Sequence, residues 1–172
     1  MVMNPKIGRA RATQPLSASR LSVPTSIGYE VHEFLAWEAL LLDNRRYGEW
    51  SMLLAKDLVY QCPGRVDDER SYFFTLSHLR RQPNPAPQTT ALVLMHRCVS
   101  NIIVAYGEHA GELAVSSYVL INYSFEGEAG TKVLTVDRRD CLVRSANSLQ
   151  IRRREIRTAR LSPETRELLG PL

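Results

Sequence analysis

The sequence predicts an α+β fold in which helices pack on one face of an antiparallel sheet. Three observations carry that expectation. Apolar residues recur at helical spacing between residues 27 and 54. From residue 89 onward the chain runs in long stretches rich in β-branched residues. Short turns, most of them with glycine, separate those stretches.

Residues 1–25 hold Pro, Ser, Arg and Ala with neither helical nor strand period, and read as a flexible arm; residues 26–172 read as a single domain. Thr25 or Ser26 offers a hydroxyl that could accept a free first-turn N–H, so a helix is expected to start there. Ile27, Val31, Phe34, Leu35, Leu41 and Leu42 form its apolar stripe, with Glu30, Glu33 and Glu38 largely off it, and the helix should end near Asp43-Asn44. Trp50, Leu53 and Leu54 recur at i, i+3 and i+4 and suggest a second, short helix stopping near Lys56-Asp57. Residues 58–62 then read as a strand closed by Pro63-Gly64, and residues 65–70 as a charged loop. Residues 71–81 fit a strand or a helix equally well. The three prolines of residues 82–87 remove donors and fix φ, which makes that stretch a connector.

Four strands follow, over residues 89–106, 112–125, 131–144 and 149–158, joined by turns at 107–111, 126–130 and 145–148. Long strands joined by tight turns imply an antiparallel meander. Such strands twist strongly, and a twisted sheet folded over a helix makes a cone. Ser162-Pro163-Glu164 has the order of an N-cap, a first-position proline and a first-turn acid, so residues 163–169 are expected to add a terminal helix.

Composition narrows the function. The chain has 172 residues, 44% of them hydrophobic, enough for one core. No apolar run approaches the roughly 20 residues that span a bilayer, and no apolar block follows the N-terminal basic residues as a signal peptide requires; the expectation is a soluble cytoplasmic protein. Cys62, Cys98 and Cys141 are odd in number and far apart, which argues against a disulfide framework or zinc ribbon and for small buried hydrophobes. The net charge of +4 is mild for a nucleic-acid binder, and aromatics are not interleaved with the arginines as a stacking platform needs. The four histidines, His32, His78, His96 and His109, show no i, i+4 pairing and no C-x-H with C-x-x-H, so neither a Rieske cluster nor a mononuclear iron site is expected in this chain. Phosphate-loop, dinucleotide and nucleophile-elbow motifs are also missing.

What stands out is a run of late arginines: Arg138, Arg139, Arg144, Arg152, Arg153, Arg154, Arg157 and Arg160, set against Asp137, Asp140 and Glu155. Strand alternation puts Arg138 with Asp140 on one face and Asp137 with Arg139 on the other, and pairs Arg152 with Arg154. Charge on both faces of adjacent strands fits either solvated strand ends or a charged subunit interface, since guanidinium forks suit carboxylates across a boundary. The interface candidates are Arg138, Arg139, Asp140, Arg144, Arg152 and Arg154.

Several segments together resemble one family. Residues 38–50 resemble the E-A-x-L-L-D-x-x-x-Y-x-x-W signature of the β subunits of aromatic-ring-hydroxylating dioxygenases. Residues 53–63 continue in that family's order to Tyr60-Gln61-Cys62-Pro63, Val99-Ser100-Asn101-Ile102 resembles its V-S-N strand, residues 138–144 its R-x-D-x-L-R strand, and Ile151-Arg152-Arg153-Arg154 its last I-x-x-R strand. His96-Arg97 stands where the family usually has Arg-His. The resemblance implies a cone-shaped, strongly curved antiparallel sheet wrapped around N-terminal helices, like nuclear transport factor 2, scytalone dehydratase and ketosteroid isomerase. It implies a non-catalytic subunit that self-associates as a trimer within an α3β3 oxygenase performing cis-dihydroxylation. The large α subunit would carry the Rieske 2Fe–2S cluster and the mononuclear Fe(II), with electrons from NAD(P)H through a reductase. A second function is available to the same cone: a stand-alone dehydratase or isomerase using Asp57, His96 and Tyr60 as an acid–base set in its cavity.

Overall fold

A computed structural model of the chain describes residues 23–62, 72–75, 92–127, 129–146 and 148–157. The expected arm before residue 23, the loop at 65–70, the connector at 82–87, His78 and the terminal helix at 163–169 lie outside these residues. The described elements run α1 (Thr25–Asp43), α2 (Tyr47–Trp50), a 3-10 turn (Ser51–Leu53), β1 (Leu54–Cys62), β2 (Tyr72–Phe74), β3 (Leu92–Tyr106), β4 (Glu112–Phe125), β5 (Lys132–Ser145) and β6 (Ser148–Arg157).

Helix α1 is held by its stripe rather than its ends. Val31, Leu35, Leu41 and Leu42 are buried, and each such side chain gains roughly 1.5–3 kcal/mol from full burial. Thr25 and Ser26 are inside the helix, not caps. Pro24 precedes it without a side-chain cap, its carbonyl accepting from the N–H groups of Ile27 and Gly28. At the other end Arg45 takes a left-handed φ of 56°, and the Arg46 N–H returns to the Leu41 carbonyl at 2.8 Å. The second helix is shorter than expected. The chain becomes extended at Leu54, so Trp50 and Leu54 bury from different elements.

The sheet has six strands in the order β2-β1-β6-β5-β4-β3. Strands β3 to β6 form the expected antiparallel meander, but β1 pairs with β6 in parallel, so the whole sheet is mixed. The sheet is not closed; with α1 on its inner face it makes the α+β cone. Leu113, Val115, Val119 and Ile121 of β4, Leu134, Val136 and Leu142 of β5, and Leu149, Ile151 and Ile156 of β6 face α1 in one core. Gly107 is required at its hairpin, since an added Cβ would lie 2.4 Å from that of Glu112. A bulge shifts the register of β6 between Ile151 and Arg153, and its consequence falls on the charged residues.

Candidate functional site

Four charged side chains sit in the middle of that core. Glu38, Arg138, Asp140 and Arg154 are each at most 5% exposed. The sheet register brings three of them together: Arg154 of β6 stands opposite Asp140 of β5 on one side and Tyr60 of β1 on the other, and Arg138 stands opposite Ser117 of β4. Helix α1 supplies the fourth. Glu38 follows Val31 and Leu35 by seven and three residues, so it lies on the apolar stripe and points at the sheet. The expectation that it lies off the stripe is corrected here.

The geometry is dense. Arg154 forks onto two carboxylates, with Nη1 and Nη2 donating to Glu38 Oε1 and Oε2 at 2.5 and 2.9 Å, and Nε and Nη2 donating to Asp140 Oδ1 and Oδ2 at 2.7 and 3.0 Å. Arg138 Nη1 donates to Glu38 Oε2 at 3.1 Å, and its Nε lies 3.2 Å from Asp140 Oδ2 and donates to Ser117 Oγ at 3.3 Å. Trp50 Nε1–H donates to Glu38 Oε1 at 3.1 Å, and the Arg154 guanidinium lies 6.0 Å from the Tyr60 ring centre. Two carboxylates and two guanidiniums balance, which makes their burial tolerable; an unmatched ion there would cost several kcal/mol.

This balance sets the protonation states. Burial pushes the Glu38 carboxyl up, but the Arg154 and Arg138 charges, with hydrogen bonds from Arg154 and Trp50, outweigh it and hold Glu38 at about 2. Burial pulls Arg154 down, but Asp140 and Glu38 overcome that and raise it well above its ordinary range. Burial raises the Tyr60 phenol well above 10. At neutral pH Glu38 is a weak base without a proton to give, and Tyr60 stays protonated.

The interface candidates therefore separate. Arg138, Asp140 and Arg154 lie in the interior with partners in their own chain. Arg152 and Arg154, read as sharing a face, do not: the bulge keeps Ile151 and Arg154 inward and turns Arg152 out, where Nε is 3.0 Å from Asp57 Oδ2 and Nη1 donates to Glu112 Oε1 at 3.2 Å. Arg144 is exposed and forks onto Glu30 of α1 at 2.8 and 2.6 Å, while Arg139 is half-buried. The alternative acid–base set is not assembled. Asp57 and His96 have side chains 63% and 65% exposed, whereas Tyr60 is buried in the core. Cysteine packing also departs from expectation, since Cys98 is exposed and Cys62 and Cys141 only half-buried. Burial and the neighbouring Glu112 push the Cys141 thiol up to about 11. Among the described residues no group of three or more His, Cys, Asp or Glu side chains is placed to hold a metal ion, and no helix is long and apolar enough to cross a membrane.

The quartet gathers residues from segments far apart in the sequence. Glu38 and Trp50 come from the first signature, Arg138 and Asp140 from the R-x-D strand and Arg154 from the I-x-x-R strand; all meet at one point. No protein-family model matches the chain. The chlorobenzene dioxygenase subunit beta of Cupriavidus sp. strain PS12 is 31% identical over 148 residues, covering 72% of this chain and 75% of the relative.

The chain belongs to the aromatic-ring dioxygenase β-subunit family.

The fold agrees. A chain of naphthalene 1,2-dioxygenase with indole bound superposes with a TM-score of 0.66 at 18% identity, covering 86% of this β subunit and 91% of that chain. A scytalone dehydratase-like protein of Novosphingobium aromaticivorans gives 0.64 at 18% identity, covering 78% and 85%. The nuclear transport factor 2-like cone is thus shared with these chains. The sequence pattern singled out Arg138, Asp140 and Arg154 but missed Glu38 and Ser117. A signal for the inward face was present: Arg138 and Asp140 have the same parity on β5 as Leu134, Val136 and Leu142.

Proposed function

We propose that this β subunit is a structural element of an aromatic-ring dioxygenase, gathering the large subunits while the ring chemistry takes place outside this chain. The observation that best supports a non-catalytic role is the quartet. A dehydratase or isomerase in this cone needs a carboxylate or histidine that can exchange a proton near neutral pH and face an open apolar pocket. Here the buried carboxylate of α1 is clamped by two arginines and a tryptophan, and a group held at about 2 makes a poor base. The network instead ties α1 to β5 and β6 and gives a rigid body on which an assembly can be built.

The large subunit would hold the Rieske 2Fe–2S cluster and the mononuclear Fe(II), receive electrons from NAD(P)H through a reductase, and cis-dihydroxylate an aromatic ring. The β subunit would stand as a trimer in an α3β3 oxygenase in the cytoplasm. Of the six interface candidates, Arg139, Arg144 and Arg152 are the ones that lie outside the core and are available to a neighbouring subunit. Arg144 and Arg152 are already engaged by Glu30, Asp57 and Glu112, so a neighbour would meet ion pairs rather than bare charge. Co-expression with the large subunit tests the proposal. Ring oxidation should require both chains, with the iron accompanying the large one. A dehydratase or isomerase activity of this chain alone, lost in Tyr60→Phe, would overturn it.

A further inference from the structure

Val99-Ser100-Asn101-Ile102 takes no part in the quartet, yet it marks an irregularity in the sheet. Among the described residues β3 has a neighbour on one side only, so its other edge is free. That edge is 15 residues long and exposes Ile103 and Tyr106, at 44% and 55%. A long edge with apolar side chains is a template for strand addition unless something interrupts it.

Two features interrupt this one. The first lies at Arg97, whose backbone N–H points away from β4 and donates to Asp43 Oδ2 of α1 at 3.0 Å. The second is a bulge. Ser100 stands opposite Tyr118 and Ile103 opposite Ser116, so β3 takes three steps where β4 takes two. Asn101 absorbs the extra residue, exposed and at a left-handed φ of 52°, which asparagine adopts more readily than most residues. The side chains keep their faces, with Val99 before the bulge and Ile102 after it both packed against the core. The backbone donors lose their phase. Along an antiparallel strand the N–H groups alternate between the two edges. Counting from Arg97, those of Met95 and Val99 face the free edge. At the other end the Gly107 N–H donates to the Glu112 carbonyl of β4 at 2.8 Å, so those of Tyr106 and Val104 face the free edge. The free-edge donors before and after the bulge are thus an odd number of residues apart. A regular strand, whose groups repeat every two residues, cannot match both sets in one register.

We propose that the Asn101 bulge, with Asp43 capping the Arg97 N–H, closes the free edge of β3 to a second copy of this chain. The pairing it prevents is β3 against β3, antiparallel. That arrangement is self-complementary and would bring the exposed Ile103 and Tyr106 of two copies together. Asp43 blocks the first half of the edge, and the bulge leaves the second half too short and out of phase to pair alone. Copies of this chain then meet through side chains and not through a shared sheet. The inference stands apart from the reading of the chain as a structural subunit.

The experiment uses the purified full-length chain. Deleting Asn101 leaves Ile102 opposite Ser117 and every other residue of β3 on its present face, and it puts the free-edge donors of Val99, Ile102, Val104 and Tyr106 in one phase. Sedimentation velocity of this variant should show a species of about twice the parent's mass that grows with concentration. Its Val104 and Tyr106 amides should gain protection from hydrogen exchange, read by nuclear magnetic resonance. Adding Ile103→Lys to the deletion sets a charge on the opened edge and should restore the parent's mass. Asn101→Gly keeps the left-handed conformation and should sediment as the parent. A deletion variant that folds by circular dichroism and keeps the parent's mass overturns the proposal. A larger species that survives Ile103→Lys, leaves the β3 amides unprotected or forms in Asn101→Gly overturns it too. If the deletion variant does not fold, the parent decides: its Val104 and Tyr106 amides should gain no protection as concentration rises, and a gain overturns the proposal.

Discussion

Replacing Glu38 by Gln keeps the volume and removes the charge at the centre of the quartet. The parent has two carboxylates and two guanidiniums within hydrogen-bonding range of one another; the variant leaves a net positive charge among groups that are at most 5% exposed. The Gln carbonyl can still accept from Arg154, but its amide N–H groups then face Arg138 or Trp50, which are donors. Breaking a buried ion pair from one side costs roughly 3–5 kcal/mol, against a total stability of about 5–15 kcal/mol for an ordinary domain. Glu30→Gln provides the comparison, because the Glu30–Arg144 pair is 36% and 52% exposed and such surface pairs contribute about 0–1 kcal/mol. Urea unfolding at pH 7, followed by far-ultraviolet circular dichroism, should show a large fall in midpoint for Glu38→Gln and almost none for Glu30→Gln, at equal slope. Adding Arg138→Met to Glu38→Gln restores neutrality and should cost less than the two single changes together. Equal, small losses in Glu38→Gln and Glu30→Gln would mean that water reaches the quartet, and the reasoning from burial would fail.

Three further outcomes follow from the same structure. Glu38 is lowered from 4.5 to about 2 in the fold, so its contribution of about 3 kcal/mol is present above the unfolded value and lost as pH falls through the folded one; urea stability should decline from about pH 5 toward pH 2, and this part of the decline should vanish in Glu38→Gln. Trp50 is 2% exposed and donates to Glu38, so Trp50→Ala should lose about 3–5 kcal/mol and reduce the soluble yield; parent-like unfolding would contradict its place in the core. Iron analysis of the separately purified β subunit should find far less than one iron per chain, and a stoichiometric value would contradict the assignment of the metal centres to the large subunit.

Much of the fold was legible because long strands announce themselves. The stretch expected at residues 112–125 is β4 as observed, and β5 and β6 fall within one residue of expectation at each end. Beta1 was read too short because the i, i+3, i+4 spacing of Trp50, Leu53 and Leu54 suits a helix, while the chain spends it on a 3-10 turn and the start of a strand. Its parallel partner was invisible, since pairing across more than 90 residues leaves no local pattern. The charged residues failed differently. Alternation tells which side chains share a face, not which face is the core, and charge was taken as a mark of the outside. Arg152 and Arg154 were paired wrongly because a bulge breaks the alternation between them. Glu38 was set aside for its charge although its spacing from Val31, Leu35 and Leu42 placed it on the buried stripe.

The central claim, that this chain serves as the supporting subunit of an oxygenase, is tested most directly by the mass of the particle it forms with its large subunit. Sedimentation velocity on the co-expressed, co-purified proteins should give one species containing both chains in equal number, at the mass of three of each. A β subunit that sediments at its own mass beside the free large subunit, under conditions where both are folded, would contradict it.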